Sequence, residues 1–313
     1  MVVGRPAAIA ALALALLAGC GGPDDPAPFG GAAGVGRGGE LVWAIPERPL
    51  QRDPLFARGR TERLISRQLH EPLVEELSAP FDDPRRLNGL ARSVVGVHGD
   101  TVWLVRLRPG VRFQDGTPLN SQAVLANVER WLAAPHRSGF TPGALADGPR
   151  PDLVRFRLPE PDPEFADALA APELGIVAPA ALERAGSGSL TAAQTAASGT
   201  GPFELRERAA DRLLLARNSD WWGSDKGLGP ALDQLEFLVV RSASERVDLL
   251  GEGTVQAAGD LGRAALEAIA SDPLLTAVED SRIGIERSVR GIPAGERVPS
   301  LNAVWRTSIH SGA

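Results

Sequence analysis

Residues 101–132, TVWLVRLRPGVRFQDGTPLNSQAVLANVERWL, constrain the fold more than any other part of this 313-residue chain. The opening run TVWLVRL is β-branched and aromatic and apolar at nearly every position. That pattern predicts a strand buried on both faces. Pro109-Gly110 turns the chain, Val111-Arg112-Phe113 reads as a short return strand, and Asp115-Gly116 makes a second tight turn. Asn120 or Ser121 can cap the helix that follows, because a side-chain oxygen there accepts an orphan N–H of the first turn. Val124, Val128, Trp131 and Leu132 form its apolar stripe. The segment holds no histidine, no cysteine and no base–nucleophile pair. Its signals describe architecture: Gly110 and Gly116 permit turns, Phe113 and Trp131 supply core area, and Asp115 can bond local backbone.

The rest of the chain alternates between the two regular structures. ELVWAI (40–45) predicts a buried strand, and RTERLISRQLH (60–70) a helix with Leu64, Ile65 and Leu69 on one stripe. Pro72 stops that helix, since it lacks an N–H and disfavours helical geometry just before it. LVRFRL (153–158) alternates apolar and basic residues as a half-exposed strand does. EFADALAA (164–171) reads as a short helix. GTGPFELRE (199–207) and RLLLAR (212–217) flank Ala209-Ala210-Asp211 as a hairpin. LEFLVV (235–240) reads as a buried strand, SERVDLLGEG (244–253) as a helix closed by glycine, TVQAAG (254–259) as a strand and RAALEAIA (263–270) as a helix. The order is mixed α/β, with hairpins among βα units and no internal repeat.

The N-terminus, MVVGRPAAIAALALALLAGC, places Arg5 before an apolar run from Ala7 to Leu17. As a helix that run would be about 16 Å long, too short for a hydrocarbon core of about 30 Å. It reads as a secretory signal. Leu17-Ala18-Gly19-Cys20 resembles the bacterial lipobox. That resemblance implies cleavage behind Gly19, lipidation of Cys20 and anchoring to the outer face of a membrane; the plainer alternative is an ordinary signal with an incidental cysteine. Cys20 is the sole cysteine, so neither an intrachain disulfide nor a cysteine-based metal site can form. Residues 20–39 are rich in Gly, Pro and Ala and suit a flexible tether. Gly34 to Gly39 match G-x-G-x-x-G, but a linker precedes them and a strand follows, the reverse of what a dinucleotide fingerprint needs.

Composition removes further classes. A net charge of −6 argues against a nucleic-acid partner. Lys226 is the only lysine among 33 basic residues, which reads as coding bias toward arginine. For an enzyme, G-x-S-x-G is absent, and His70, His98, His136 and His310 stand apart, with no H-x-x-x-H. Neither catalytic residue, metal ligand nor cofactor is assigned.

Several collinear segments resemble the family 5 solute-binding proteins of ABC importers, the peptide- and nickel-binding class. Trp103, Leu107, Arg108, Pro109, Gly110, Val111, Phe113, Asp115, Gly116, Pro118 and Val124 match one family segment. GTGPF (199–203), ARNSDWWG (216–223), RQLHEPLV (67–74), DLLGEGTVQAAGD (248–260) and LNGLARS (87–93) match others. The resemblance covers roughly residues 40–280. It implies an α/β, periplasmic-binding-protein-like (type II) first lobe: core from 40–82 and 196–260, and an inserted α+β accessory subdomain at 83–195. Residues 261–313 are a remnant of the second lobe or a return segment, and most of the second lobe is expected to be missing. The implied role is capture of a peptide-like solute for a permease and its ATPase. A non-transporting surface lipoprotein, using the lobe as an interaction module, is the alternative. Self-association, or a separately encoded second lobe, would cover the open face.

In such a fold the solute sits between lobes. The first-lobe candidates are Asp53, Pro54, Leu55, Phe56, His70, Glu71, Ser198, Gly199, Thr200 and Gly201. Glycines let backbone approach a ligand, and Ser and Thr offer hydroxyls. Some have a plainer reading: a half-buried helix-end residue for His70, a solvated turn residue for Glu71, crossover geometry for Gly199 to Gly201. Trp221-Trp222 are structural by the resemblance, with carbohydrate stacking as the other reading.

Overall fold

The computed structural model describes residues 38–290, except 51, 76–88, 135–137, 141–142, 187, 192–194, 196, 225–229, 231, 263–264, 266–268, 270–274 and 281–284. Cys20, the leader, nearly all of the tether, His136, His310 and most of the helix expected at 263–270 lie outside the described residues.

The first apolar run forms β1 (Glu40–Ile45). A one-turn 3-10 helix (Pro54–Phe56) follows, then α1 (Arg60–Leu69), which buries Leu64, Ile65 and Leu69 as its stripe requires. The chain next builds an antiparallel sheet from β2 (Ala91–Val97), β3 (Val102–Leu107), β4 (Leu145–Arg150) and β5 (Leu153–Arg157), in the order β2-β3-β5-β4. Helix α2 (Ser121–Ala133) lies between β3 and β4 in sequence. Two short helices, α3 (Phe165–Ala168) and α4 (Pro179–Ala185), lead out of this region. The chain then returns to the first sheet as the hairpin β6 (Phe203–Arg208) and β7 (Arg212–Arg217), then β8 (Gln234–Val239), α5 (Ala243–Glu252) and β9 (Ala257–Gly259). A last hairpin, β10 (Leu275–Asp280) and β11 (Ile285–Arg290), extends that sheet beyond β9. Its order is β10-β11-β9-β1-β8-β7-β6, with β1 parallel to both β8 and β9.

Trp43, Ile65, Leu69, Phe203, Leu215 and Phe237 pack on the seven-stranded sheet, and Ala44, Val240, Leu250, Val255 and Ala258 form a second cluster on it. Trp103, Trp131, Phe140, Phe156 and Phe165 belong to the core of the four-stranded sheet, where Phe156 and Phe165 sit 5.3 Å apart and Trp131 and Phe140 5.4 Å apart. Tilted pairs at such distances add about 0.5–1.5 kcal/mol each beyond the burial of their area.

The structure departs from the sequence reading at two strands. β3 is not buried on both faces: Trp103, Val105 and Leu107 are buried, while Val102, Leu104 and Arg106 are half-exposed. An antiparallel sheet packs one face on its core, and apolar residues on the other face do not alter that. Val111 to Phe113 do not form a strand either. They belong to a turn closed by an isolated bridge between Arg112 and Pro118 and by the Phe113 N–H donating to the Thr117 carbonyl at 2.8 Å.

The turns themselves follow the sequence. Gly110 and Gly116 have φ of +77° and +85°. The Asp115 carboxylate accepts the Thr117 N–H at 2.9 Å, and the Asn120 side chain caps α2 by accepting the Ala123 N–H at 2.9 Å. A Cβ at Gly116 would meet nothing within 4 Å, so the penalty for a side chain is purely conformational. Gly116→Ala should cost about 1 kcal/mol, and Gly116→Val more. Urea denaturation measures it, and an unchanged midpoint for both variants would remove the assigned turn.

Candidate functional site

The end of α1 is where the two sheets meet, and the candidate residues converge on it from three distant parts of the chain. His70 caps the helix C-terminus, its N–H donating to the Ser66 carbonyl at 2.8 Å. Segment 198–201 passes directly beneath. The Gly201 N–H donates to the Leu69 carbonyl at 2.9 Å, and the Ser198 and Gly199 carbonyls accept from Ala178 and Gln114. The approach is so close that a Cβ on Gly199 would lie 1.7 Å from the Leu69 carbonyl oxygen. On Gly201 it would lie 2.3 Å from that of Gln68. The glycines are thus explained by backbone crossing backbone. Gln114, which the sequence reading passed over, pins the same crossing by donating to the Phe203 carbonyl at 2.7 Å.

His70 is 1% exposed, not the half-buried helix end of the plainer reading. Its Nε2 lies 2.9 Å from the Ser198 hydroxyl. That hydroxyl donates its own hydrogen to the Thr195 carbonyl at 3.2 Å, so Nε2 must carry the imidazole proton. Nδ1 is left with no partner. Burial, the largest influence, pushes the imidazole down to about 4.

Glu71 is likewise no solvated turn residue, at 3% exposed. Two indoles close over its carboxyl group. The Trp221 N–H donates at 3.2 Å, and the Trp222 N–H at 3.1 Å to both oxygens. The Arg108 guanidinium stacks 4.5 Å above the Trp222 ring. The two tryptophans therefore clamp an acid rather than present a stacking platform. Thr200 favours the charged form of that acid, though its hydroxyl lies outside good hydrogen-bond geometry. Burial dominates, with Glu75 adding to it, and pushes the Glu71 carboxyl up to about 8.

These two shifts have opposite signs. Folded Glu71 holds its proton while an unfolded carboxyl loses it near its ordinary value, so its stabilisation is complete below about 4.5 and lost as pH rises to about 8. Folded His70 refuses a proton that the unfolded chain binds, so its contribution is present above about 6.5 and lost as pH falls toward 4. Between 6.5 and 8 only Glu71 acts. Stability should fall there by at most about 1.4 kcal/mol per pH unit. Glu71→Gln should flatten that limb in pH-dependent melts, and an unaltered slope would remove the assignment.

Asp53 caps and Phe56 ends the 3-10 turn that, with His70, packs around Gly175. The Asp53 carboxylate is fully buried. It receives two bonds from Arg130, 3.0 Å from Nη1 and 2.5 Å from Nη2, as well as the N–H groups of Leu190 at 2.8 Å and Leu55 at 3.2 Å. The guanidinium also sits 5.4 Å from the Phe56 ring. One residue thus ties together the loop after β1, α2 and the segment after α4. Leu55 is buried and Phe56 half-buried. Among the described residues, no group of three or more His, Cys, Asp or Glu side chains could hold a metal ion, and no helix is long and apolar enough to cross a membrane.

A mixed sheet with a four-stranded sheet inserted behind its first helix is the architecture of the periplasmic binding proteins. Residues covering 77% of the chain superpose on 48% of the binding protein AgaA from A. tumefaciens R10, solved with agropinic acid, at a TM-score of 0.67 and 23% identity. They also superpose on 50% of DppA from Helicobacter pylori, solved with the peptide STSA, at a TM-score of 0.62 and 20% identity. The family model for bacterial extracellular solute-binding proteins, family 5 (middle region) matches residues 88–288, and the chain belongs to that family. The glutathione-binding protein GsiB of Escherichia coli O1:K1 is 28% identical over 223 residues, 69% of this chain and 41% of that protein. The chain thus spans about half, or less, of the length of the relatives it matches.

Proposed function

We propose that this chain is the lipid-anchored, extracytoplasmic solute-binding component of an ABC-type importer, serving a permease and its ATPase. Peptides or similar small solutes are its cargo. Family membership over residues 88–288 carries this reading; the name of GsiB and the peptide held by DppA favour the solute class. Residues 40–82 and 196–260 act as the core of the first lobe, and 83–195 as its accessory subdomain. Phe56 is the one candidate among the eight from Leu55 to Gly201 that is not fully buried, so it makes the direct contact. Leu55, His70, Glu71, Ser198, Gly199, Thr200 and Gly201 shape the wall behind it.

Calorimetry of the purified chain against glutathione and short peptides tests this. Saturable binding of at least one of these solutes is the expected result, and Phe56→Ala should weaken it. No saturable heat with any peptide would overturn the solute class. The anchor is tested separately: Cys20→Ala should release the protein from membranes or leave it unprocessed, and a variant that still carries lipid label would refute it.

A further inference from the structure

We propose that the cleft between the loop after β1 and the β6–β7 hairpin is a site for one small oxyanion, a phosphate, sulfate or carboxylate group, held by Arg48, Arg52, Arg208 and Arg212. Both pairs of arginines line this cleft. Arg48 and Arg52 come from the loop. Arg208 ends β6 and Arg212 begins β7, so the hairpin presents them side by side. The remaining lining is apolar: Pro49, Leu213, Phe237 and Val239. The cleft stands at the carboxyl ends of the parallel strands β1 and β8, the side on which open α/β sheets take ligands.

Three observations point to a missing anion. Among the described residues, none of the four guanidinium groups forms an ion pair. Arg52 is 3% exposed, yet its Nε has no acceptor and its Nη1 reaches only the Pro49 carbonyl, at 3.3 Å. Burial, then repulsion from Arg208 and Arg48, pushes it down to about 10. Glu62 acts on Arg52 in the opposite sense, but its carboxylate is engaged by the N–H groups of Leu50, Arg58 and Gly59. Asp211, in the hairpin turn, pairs with none of the four. Arg48, Arg208 and Arg212 are exposed, but Arg52 is buried, so water screens their repulsion of it least. An oxyanion reverses that balance: guanidinium forks donate paired hydrogen bonds to its oxygens.

Titration calorimetry and thermal melts of the whole chain test this, with sodium phosphate, sulfate, acetate and chloride at one ionic strength. Phosphate or sulfate should bind saturably and raise the melting temperature, whereas chloride should not. Acetate displacing phosphate would identify carboxylates as sharing the site; phosphate resisting acetate would assign it to tetrahedral anions. Arg208 and Arg212 are exposed, so their variants should fold. R208Q or R212Q should each weaken binding about tenfold, and the double variant should abolish it. Equal responses to phosphate and chloride would overturn the proposal, as would phosphate binding that survives in the double variant. Either result leaves the peptide-binding reading untouched.

Discussion

Gly199→Ala is expected to lose about 4 kcal/mol of stability or more, enough to leave a domain of ordinary stability largely unfolded. The added methyl would stand 1.7 Å from the Leu69 carbonyl oxygen and 2.7 Å from its carbon. Neither atom belongs to a side chain that could rotate away. Relief requires the end of α1 or segment 198–201 to move, and each is held by its own bonds: Gly201 to Leu69, Ala178 to Ser198, Gln114 to Gly199. Moving the segment also pulls the Ser198 hydroxyl from the His70 imidazole. Gly110→Ala is the control, since a Cβ there meets nothing within 4 Å. Chemical denaturation of both should separate them widely. Similar midpoints for the two variants would mean that the crossing is looser than described.

Arg130→Met is expected to cost about 3–5 kcal/mol, the penalty for leaving a buried carboxylate without its counter-ion. Asp53 would retain only the Leu55 and Leu190 N–H groups. The double change Asp53→Leu with Arg130→Met should recover much of that loss, because no charge is then stranded. The coupling between the two sites in a double-mutant cycle is the measurement. Additive losses would show that the pair does not act as a unit. If Phe56 contacts solute, Arg130→Met should weaken binding as well, since the guanidinium packs 5.4 Å from that ring.

Local signals were readable wherever a residue's role depends on near neighbours. Asn120 caps α2, Gly253 ends α5 with φ of +78°, and Leu64, Ile65 and Leu69 face the core as their spacing requires. Four strands, β2, β4, β10 and β11, escaped notice, and two of them carry residues that argue against a strand. β4 contains Gly148 and Pro149 and exists through its pairing with β5. β2 contains Gly96, whose Cβ would strike the Asp100 carboxylate at 2.3 Å and the Trp103 ring at 3.1 Å. At the junction, polarity suggested exposure for Glu71. Its burial depends on Trp221 and Trp222, 150 and 151 positions away. Family motifs marked those residues as a set, but only the fold shows that they touch. The arginine cleft carried no usable signal, because arginine is abundant throughout the chain.

The pairing of β1 with β8 also governs the order in which this protein can assemble. Glu40 aligns with Gln234, a separation of 234 − 40 = 194 residues. Closing so long a loop is entropically unfavourable, and folds rich in such pairings form slowly. The partners of β3, by contrast, lie within about fifty-five residues of it. As the chain is made, the smaller sheet can complete its pairings while β1 still waits for a neighbour. Strand β1 therefore docks late, since its partner β8 exists only once more than two-thirds of the chain has been synthesised.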